Sequence, residues 1–356
     1  MPKHNIGAKV FSCSDNLLQA PSHTLYSEPL WVQYQMSSEG VDTYLFKNSE
    51  YSIPCFHEPG QSNKRYTLSG ICAPQKTLLV GNRRGYDNFI TQSDRGTIDS
   101  IESEVLEFSA SHNFSEVWYP FLTKSQAFEH AKRLGTVPVL SLVSASFETG
   151  GKSHEYFLKK FSKKKRNKIR KERSAAQSSS WSFYWENSSS VDISRFCQLL
   201  ANVEEKHGKP TDVLHLEKLI ERQLVHFGEK ALFATCAKGN EIAVQALIIH
   251  ERGKVAARSV GIDYDLARRD AKYFETTYYM PIDLAHQLGA FRVELGPGTL
   301  HAKSIRGASL STRWWVPLRT SKSLKELKGM NVKIEDIVAD QDLSPAEIDR
   351  IDLDVI

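Results

Sequence analysis

The run Lys159 to Arg173, KKFSKKKRNKIRKER, holds ten Lys or Arg and one acid in fifteen residues, a local charge of +9. Like charges at i,i+4 of a helix repel by about 0.2–0.5 kcal/mol per pair, so an isolated helix gains nothing from this pattern. A phosphate-rich ligand would relieve the repulsion, each neutralised phosphate adding a salt-dependent counterion-release term. Lys164, Arg166, Lys168, Arg170 and Arg173 are therefore candidate anion-binding residues. RNA ends, CoA and nucleotide sugars all fit, and charge alone does not choose between them. A solvated helical face is the competing reading. Phe157, just before the run, with Phe161 and Ile169 offers a thin apolar contact line.

A second cluster follows a strand-like segment, VELGPGTLHAKSIRGA, Val293 to Ala308. Gly296, Gly298 and Gly307 allow close backbone approach to a ligand. Glu294, His301, Lys303 and Arg306 fall within thirteen residues. Lys and Arg beside a Gly-rich turn suit an oxyanion or phosphate, as develops in acyl transfer, and His301 could move a proton. A third segment, GIDYDLARRDAKYFETTYYMPIDLA, puts Arg268 and Arg269 at a helix start, where an anion is favoured. Its tyrosines read mainly as packing groups, with one hydroxyl, Tyr264 or Tyr278, as a candidate proton relay. Pro281 inside this helix should kink it. No GxxxxGK[ST], GxSxG or HExxH occurs, so ATPase, serine hydrolase and zinc peptidase readings lack support.

These residues sit in an ordinary globular composition: 356 residues, 40% apolar, 10% aromatic, 25% charged and a net charge of +4. That excludes overall disorder and suggests about two domains. Five scattered cysteines show no CxxC spacing, which fits reduced, packed thiols rather than a zinc site or disulfide framework. No apolar run suits a secretion signal or a membrane span, so a cytoplasmic protein without stable membrane insertion is expected.

Up to about residue 148 the chain alternates β-like runs with turn chemistry: Thr43–Lys47, Tyr51–Phe56, Tyr66–Leu68, Thr77–Val80, Glu116–Phe121 and Thr136–Val143. One short helix is expected over Ser125–Leu134, capped by Ser125 and ended by Gly135. From 154 to 173 a single basic helix is expected. A strand around Trp181–Trp185 and two amphipathic helices follow, with stripes through Ile193, Phe196, Leu200 and Val203, and through Leu216, Leu219, Ile220, Leu224 and Phe227. A hairpin turning at Lys238-Gly239-Asn240 comes next, then a strand over Lys254–Ile262, a helix over Asp270–Leu288 and strands at Phe291–Leu295 and Trp314–Leu318. The organisation expected is an N-terminal domain over 1–148, a second over 153–320 and an acidic tail over 321–356. From Glu335 onward that tail has eight acids and one base, and Ser344-Pro345 begins a helix.

The basic run, the helix pair, the hairpin unit, YDLARRDAKYFETTYYMPIDLAHQLG and LGPGTLHAKSIRGA together resemble the GNAT-fold branch of Fem-type aminoacyl-tRNA-dependent peptidyltransferases. They are more closely similar to the peptidoglycan biosynthesis/recognition proteins and related acyltransferases. The resemblance is best over 154–318. It implies an α/β (α+β) fold of two tandem GNAT-like domains, the first degenerate, each a mixed central sheet flanked by helices. It also implies transfer of an acyl or aminoacyl group to an amine. Carried over, Lys303 and Arg306 occupy the family's basic loop, and Lys164, Arg166, Arg170 and Arg173 its basic helix. CoA-dependent relatives read Arg/Gln-x-x-Gly-x-Gly/Ala before the helix. Here that place is Ala267-Arg268-Arg269-Asp270-Ala271-Lys272, without those glycines and with an acid that would oppose a pyrophosphate, which weighs against CoA.

The expected activity is therefore aminoacyl transfer from aminoacyl-tRNA, as co-substrate rather than cofactor, to a small-molecule or peptide amine. The basic helix would hold the tRNA acceptor end. Lys303 would polarise the carbonyl or support the leaving 3′-oxygen, with Glu294 beside it, and Tyr264, Tyr278 or His301 would relay the proton. No metal is called for. The alternatives are an acyl-CoA N-acyltransferase and a non-catalytic GNAT-like binding module.

Overall fold

The structure, a computed structural model, describes residues 24–47, 52–68, 70, 72–88, 95–209, 211–267, 271–330, 334–339 and 341–351. Its described parts form two compact units, Met1–Ser144 with Leu310–Ile356, and Ala145–Ser309.

The first unit contains α1 (Pro29–Met36), β1 (Asp42–Lys47), β2 (Ser52–His57), β3 (Thr77–Val80), α2 (Arg95–Ser111), β4 (Glu116–Leu122), α3 (Lys124–Leu134) and the start of β5 (Val139–Glu148). In the second unit come α4 (His154–Lys159), α5 (Lys163–Gln177), β6 (Ser182–Asn187), α6 (Ile193–Lys206), α7 (Val213–Phe227), β7 (Ala231–Lys238), β8 (Glu241–Glu251) and β9 (Lys254–Ile262). They are followed by α8 (Lys272–Phe274), a π-helix at Glu275–Tyr279, α9 (Met280–Gln287), β10 (Arg292–Gly296) and α10 (Leu300–Ser304). The chain returns to the first unit through β11 (Ser309–Arg319), with the short helices α11 (Leu324–Gly329), α12 (Ile334–Ile337) and α13 (Pro345–Ile348).

The first unit's strands lie in the order β1-β2-β3-β4-β11, with β3 and β4 parallel and the others antiparallel. Ile101, Val105 and Phe108 of α2 and Ala127 and Ala131 of α3 pack on Leu78, Val80, Val117 and Tyr119. Inside that core Glu102 accepts from the Tyr119 hydroxyl at 2.9 Å and pairs with Arg133, so the buried carboxylate is compensated. The second unit runs β5-β10-β9-β8-β7-β6, all antiparallel except β10 beside β9. The mixed α/β architecture with flanking helices is the one expected.

Several expected elements take another form. Tyr66–Leu68 is not a strand: Lys64–Tyr66 is a 3₁₀ turn, and the Thr67 hydroxyl bonds within 3.4 Å of the Asn63 and Lys64 carbonyls, a local alternative to a ladder. Helix α3 is capped by Thr123 in a capping box with Gln126, not by Ser125. Helices α1 and α2 are additional to the strand-rich reading. The basic run is two helices: α4 ends at Lys159, and the Ser162 side chain accepts from the Lys165 N–H to start α5. Pro281 produces a π-helical turn ahead of it, which accommodates its missing N–H and the crowding of its ring against the preceding turn. Cys55, Cys72, Cys197 and Cys236 are buried free thiols, and Cys13 lies outside the described residues. Among the described residues no helix is long and apolar enough to cross a membrane.

Candidate active site

Helix α5 is anchored on one side and cationic on the other. Ile169 and Ala176 are buried beneath it. Phe161, in the joint before α5, meets Phe157 edge-on at 5.1 Å and carries the Lys165 ammonium 4.5 Å above its ring. Glu172 accepts from Arg306 at 2.6 and 3.1 Å and from the Tyr279 hydroxyl at 2.5 Å. The next residue, Arg173, donates to Glu275 at 3.1 Å and pairs with Asp283, while the His154 Nδ1 accepts from it at 2.8 Å. Burial pushes the Glu275 carboxyl up despite Arg173. Burial also pushes up on Asp283, but the neighbouring Arg173 and His154 outweigh it and hold that carboxyl below its usual range.

The candidate anion-binding residues consequently separate. Lys164 and Lys168 are exposed, with Lys163 and Lys171 beside them; positions 164, 168 and 171 share one helical face. Arg170 is also exposed and reaches Glu155 at 2.6 Å. Arg166 is half-buried and donates to the Phe161 carbonyl at 2.6 Å. Arg173 points inward to two carboxylates. Arg306 is buried, with its guanidinium 3.1 Å from the centre of the Phe274 ring. Arg268 and Arg269 lie outside the described residues.

The turn after β10 is held from inside. Gly296 has φ +69° and Thr299 φ +51°, so the chain reverses sharply before α10. Lys303 is buried, and its Nζ donates to the carbonyls of Leu295 and Gly296 at 2.7 and 3.1 Å. The ammonium thereby pins the end of β10 and the start of the turn from inside. Gly307 has φ +99° and lies against Phe161, while Gly298 faces open space. Lys165 reaches the Ser304 carbonyl at 3.4 Å, so the foot of α5 and this loop form one wall. His301 is half-buried on α10, and Glu294 is buried with Arg292 3.5 Å away.

Beside that wall the sheet opens. β9 and β10 are registered only at Val293↔Val255 and Glu294↔Ala256. Residues 257–260 of β9, an interior strand, are only half-buried. Tyr278 lies on the π-helix, almost fully buried, with Tyr273 and Thr299 beside its hydroxyl and Phe147 5.7 Å away. Burial, with Tyr273 adding to it, raises its pKa well above the ordinary value. Tyr264 is half-buried under the Lys206 ammonium, and burial with Tyr273 raises its pKa too. Tyr273 thus faces both candidate tyrosines. The loop, Tyr278 and the foot of α5 are brought together; Tyr264 packs with Tyr273 against the cluster of Cys236 and Val244. Glu172, Tyr273 and Glu275 were absent from the sequence candidates. The single acid in a run of ten cations was the available signal for Glu172.

Residues 80–329 match the family described as FemAB-like, peptidoglycan biosynthesis/recognition. Among solved structures the chain is similar to FemX, at 10% identity and TM-score 0.58 over 88% of this chain and 95% of that one. A conserved protein of unknown function from Bacteroides thetaiotaomicron gives 9%, 0.57, 85% and 94% for the same four quantities. The C-terminal domain of a putative lysylphosphatidylglycerol synthetase from Agrobacterium fabrum gives 11%, 0.53, 81% and 87%. At these identities the likeness is one of fold. No curated protein matches the sequence.

Proposed function

Because the chain belongs to the FemAB-like peptidoglycan biosynthesis/recognition family, we propose that it forms an amide bond by moving an aminoacyl group from aminoacyl-tRNA to an amine. Fem-type and GNAT-like proteins are transferases, which supports an acyltransferase-type enzyme. The observation that carries the finer reading is the lysine face of α5, anchored through Glu172 and Arg173 beside the β10–α10 loop. That face receives the phosphates of the tRNA acceptor end, and the esterified 3′-terminus enters where β9 and β10 part.

The aminoacyl ester is already activated, so the protein needs chiefly to position the reactants and stabilise charge. The acceptor nitrogen attacks the ester carbonyl, the new C–N bond forms, and the bond to the 3′-oxygen breaks. With its raised pKa, Tyr278 stays protonated at neutral pH and acts as a hydrogen-bond donor to the developing oxyanion rather than as a base. His301 takes the proton from the amine and returns it to the leaving 3′-oxygen. Lys303 is a positioning residue, holding the turn through two carbonyls.

Incubation with charged total tRNA and peptidoglycan-precursor peptides should discharge a specific aminoacyl-tRNA. Failure with every tRNA, alongside turnover of an acyl-CoA, would overturn the reading. Changing Lys164, Lys168 and Lys171 together to Ala should lower the slope of log K for tRNA against log salt by about one for each phosphate that is no longer neutralised. Stability should stay within about 0.5 kcal/mol, because these side chains are exposed. A slope equal to that of the unaltered protein would remove α5 from the tRNA site.

A further inference from the structure

The other side of α5 borders a cleft that the transfer chemistry does not use. Its volume is about 400 Å³, within the range of small-molecule sites. Trp181, Phe183 and Trp185 line one wall; Phe183 and Trp185 stand two apart along the edge strand β6, and so on one face of it, with Trp181 just before the strand. Facing them are Glu275 from the π-helix and Asp283 from α9, with Arg173 between the carboxylates.

Three features point to the same ligand chemistry. Two carboxylates share one guanidinium, leaving the lining with a net negative charge. The Glu275 side chain is only 3% exposed, and among the described residues its Oε2 has no hydrogen-bond partner, a costly arrangement that a cationic ligand would offset. The rings supply negative π-faces, and one already shows the preference: the Lys272 ammonium, tied to the Leu266 carbonyl, sits 4.7 Å from the centre of Trp181. A free anion would meet Glu275 and Asp283. A wholly apolar ligand would leave the Glu275 oxygen unsatisfied.

We propose that this cleft binds an organic cation, an ammonium group carried on a small apolar body, with Trp185 and Phe183 against the body and Glu275 and Asp283 against the charge. It is a binding site separate from the tRNA face, and it does not depend on the aminoacyl-transfer reading.

The test uses the full chain without tRNA. Choline, cadaverine and the neutral isostere of choline, in which carbon replaces the ammonium nitrogen, are titrated at constant ionic strength. Tryptophan fluorescence and calorimetry provide the readouts. Choline or cadaverine should bind saturably and at least about tenfold tighter than the neutral isostere. Glu275→Gln should abolish that preference, and Trp185→Ala should weaken binding while Trp185→Phe retains most of it. Asp283→Asn is the second charge variant, and circular dichroism checks that each variant is folded. Equal binding of choline and its isostere, or no saturable binding of either amine, would overturn the proposal. Binding of N-acetylglucosamine in place of the amines would do the same and make the aromatic wall a saccharide platform. Discharge of aminoacyl-tRNA is measured separately, so either result leaves the other standing.

Discussion

Replacing Arg306 by Met is expected to destabilise the protein by about 3–5 kcal/mol. For a unit of this size that corresponds to a Tm lower by at least about 6 °C. The guanidinium is 7% exposed at the side chain, makes a fork of two bonds to Glu172 and lies on the Phe274 ring. Among the described residues, its loss leaves the Glu172 carboxylate only the Tyr279 hydroxyl. Uncompensated charge, rather than lost attraction, is the main cost. The double change Arg306→Met with Glu172→Met should therefore recover much of the loss. Arg306→Lys should recover little, since an ammonium keeps the charge but neither the fork nor the stack. Were Arg306 instead a phosphate ligand, Arg306→Met would leave Tm unchanged and act only on tRNA affinity. Thermal melts of the four proteins at matched salt decide between these roles.

Gly307→Ala is the second substitution with a large expected effect. A Cβ there would lie 2.1 Å from the Phe161 ring, and the backbone holds φ +99°. The left-handed backbone costs about 1–2 kcal/mol and the steric overlap about 1–3 kcal/mol. Phe161 stands in the joint between α4 and α5, so moving its ring also moves the foot of the cationic helix. Melting should fall and the KM for aminoacyl-tRNA should rise together. Adding Phe161→Ala should relieve the overlap but not the backbone strain, giving partial recovery. Gly298→Ala, facing open space, is the matched control and should stay within about 0.5 kcal/mol. A Gly307→Ala protein that melts like the control would refute this account of the joint.

What could be read in advance follows the range of the interactions involved. The strand Lys254–Ile262 has the bounds expected from its residues, and the hairpin turns at Gly239 with φ +59°, because both signals are local. Helix α2 places Ile101, Val105 and Phe108 at i, i+4 and i+7, a pattern that its serine- and glutamate-rich surroundings dilute. The density of charge from 159 to 173 was plain, but its division into anchors and free lysines was not. Arg173 finds Glu275 and Asp283 more than a hundred residues later, and Glu172 finds Arg306 at a separation of 134. Such pairings exist only after the sheet and helices have packed. The same holds for Lys303, whose carbonyl partners appear only once the chain reverses at Gly296.

Glu172 and Arg173 are neighbours in sequence, yet about 100° apart around the helix axis; both reach the π-helix, at Tyr279 and Glu275, and from there Glu172 extends to Arg306 and Arg173 to Asp283. A helix so rich in like charges would not hold its shape alone. Its order is therefore established during folding, and its self-repulsion is balanced by contacts on the buried side. An approaching polyanion then meets cations already arrayed on a fixed backbone, and the association forgoes most of the ordering entropy that a flexible basic segment would lose. In kinetic terms α5 is a preassembled landing surface, and amide exchange through Ile169 to Ala176 should be slow with or without the anion.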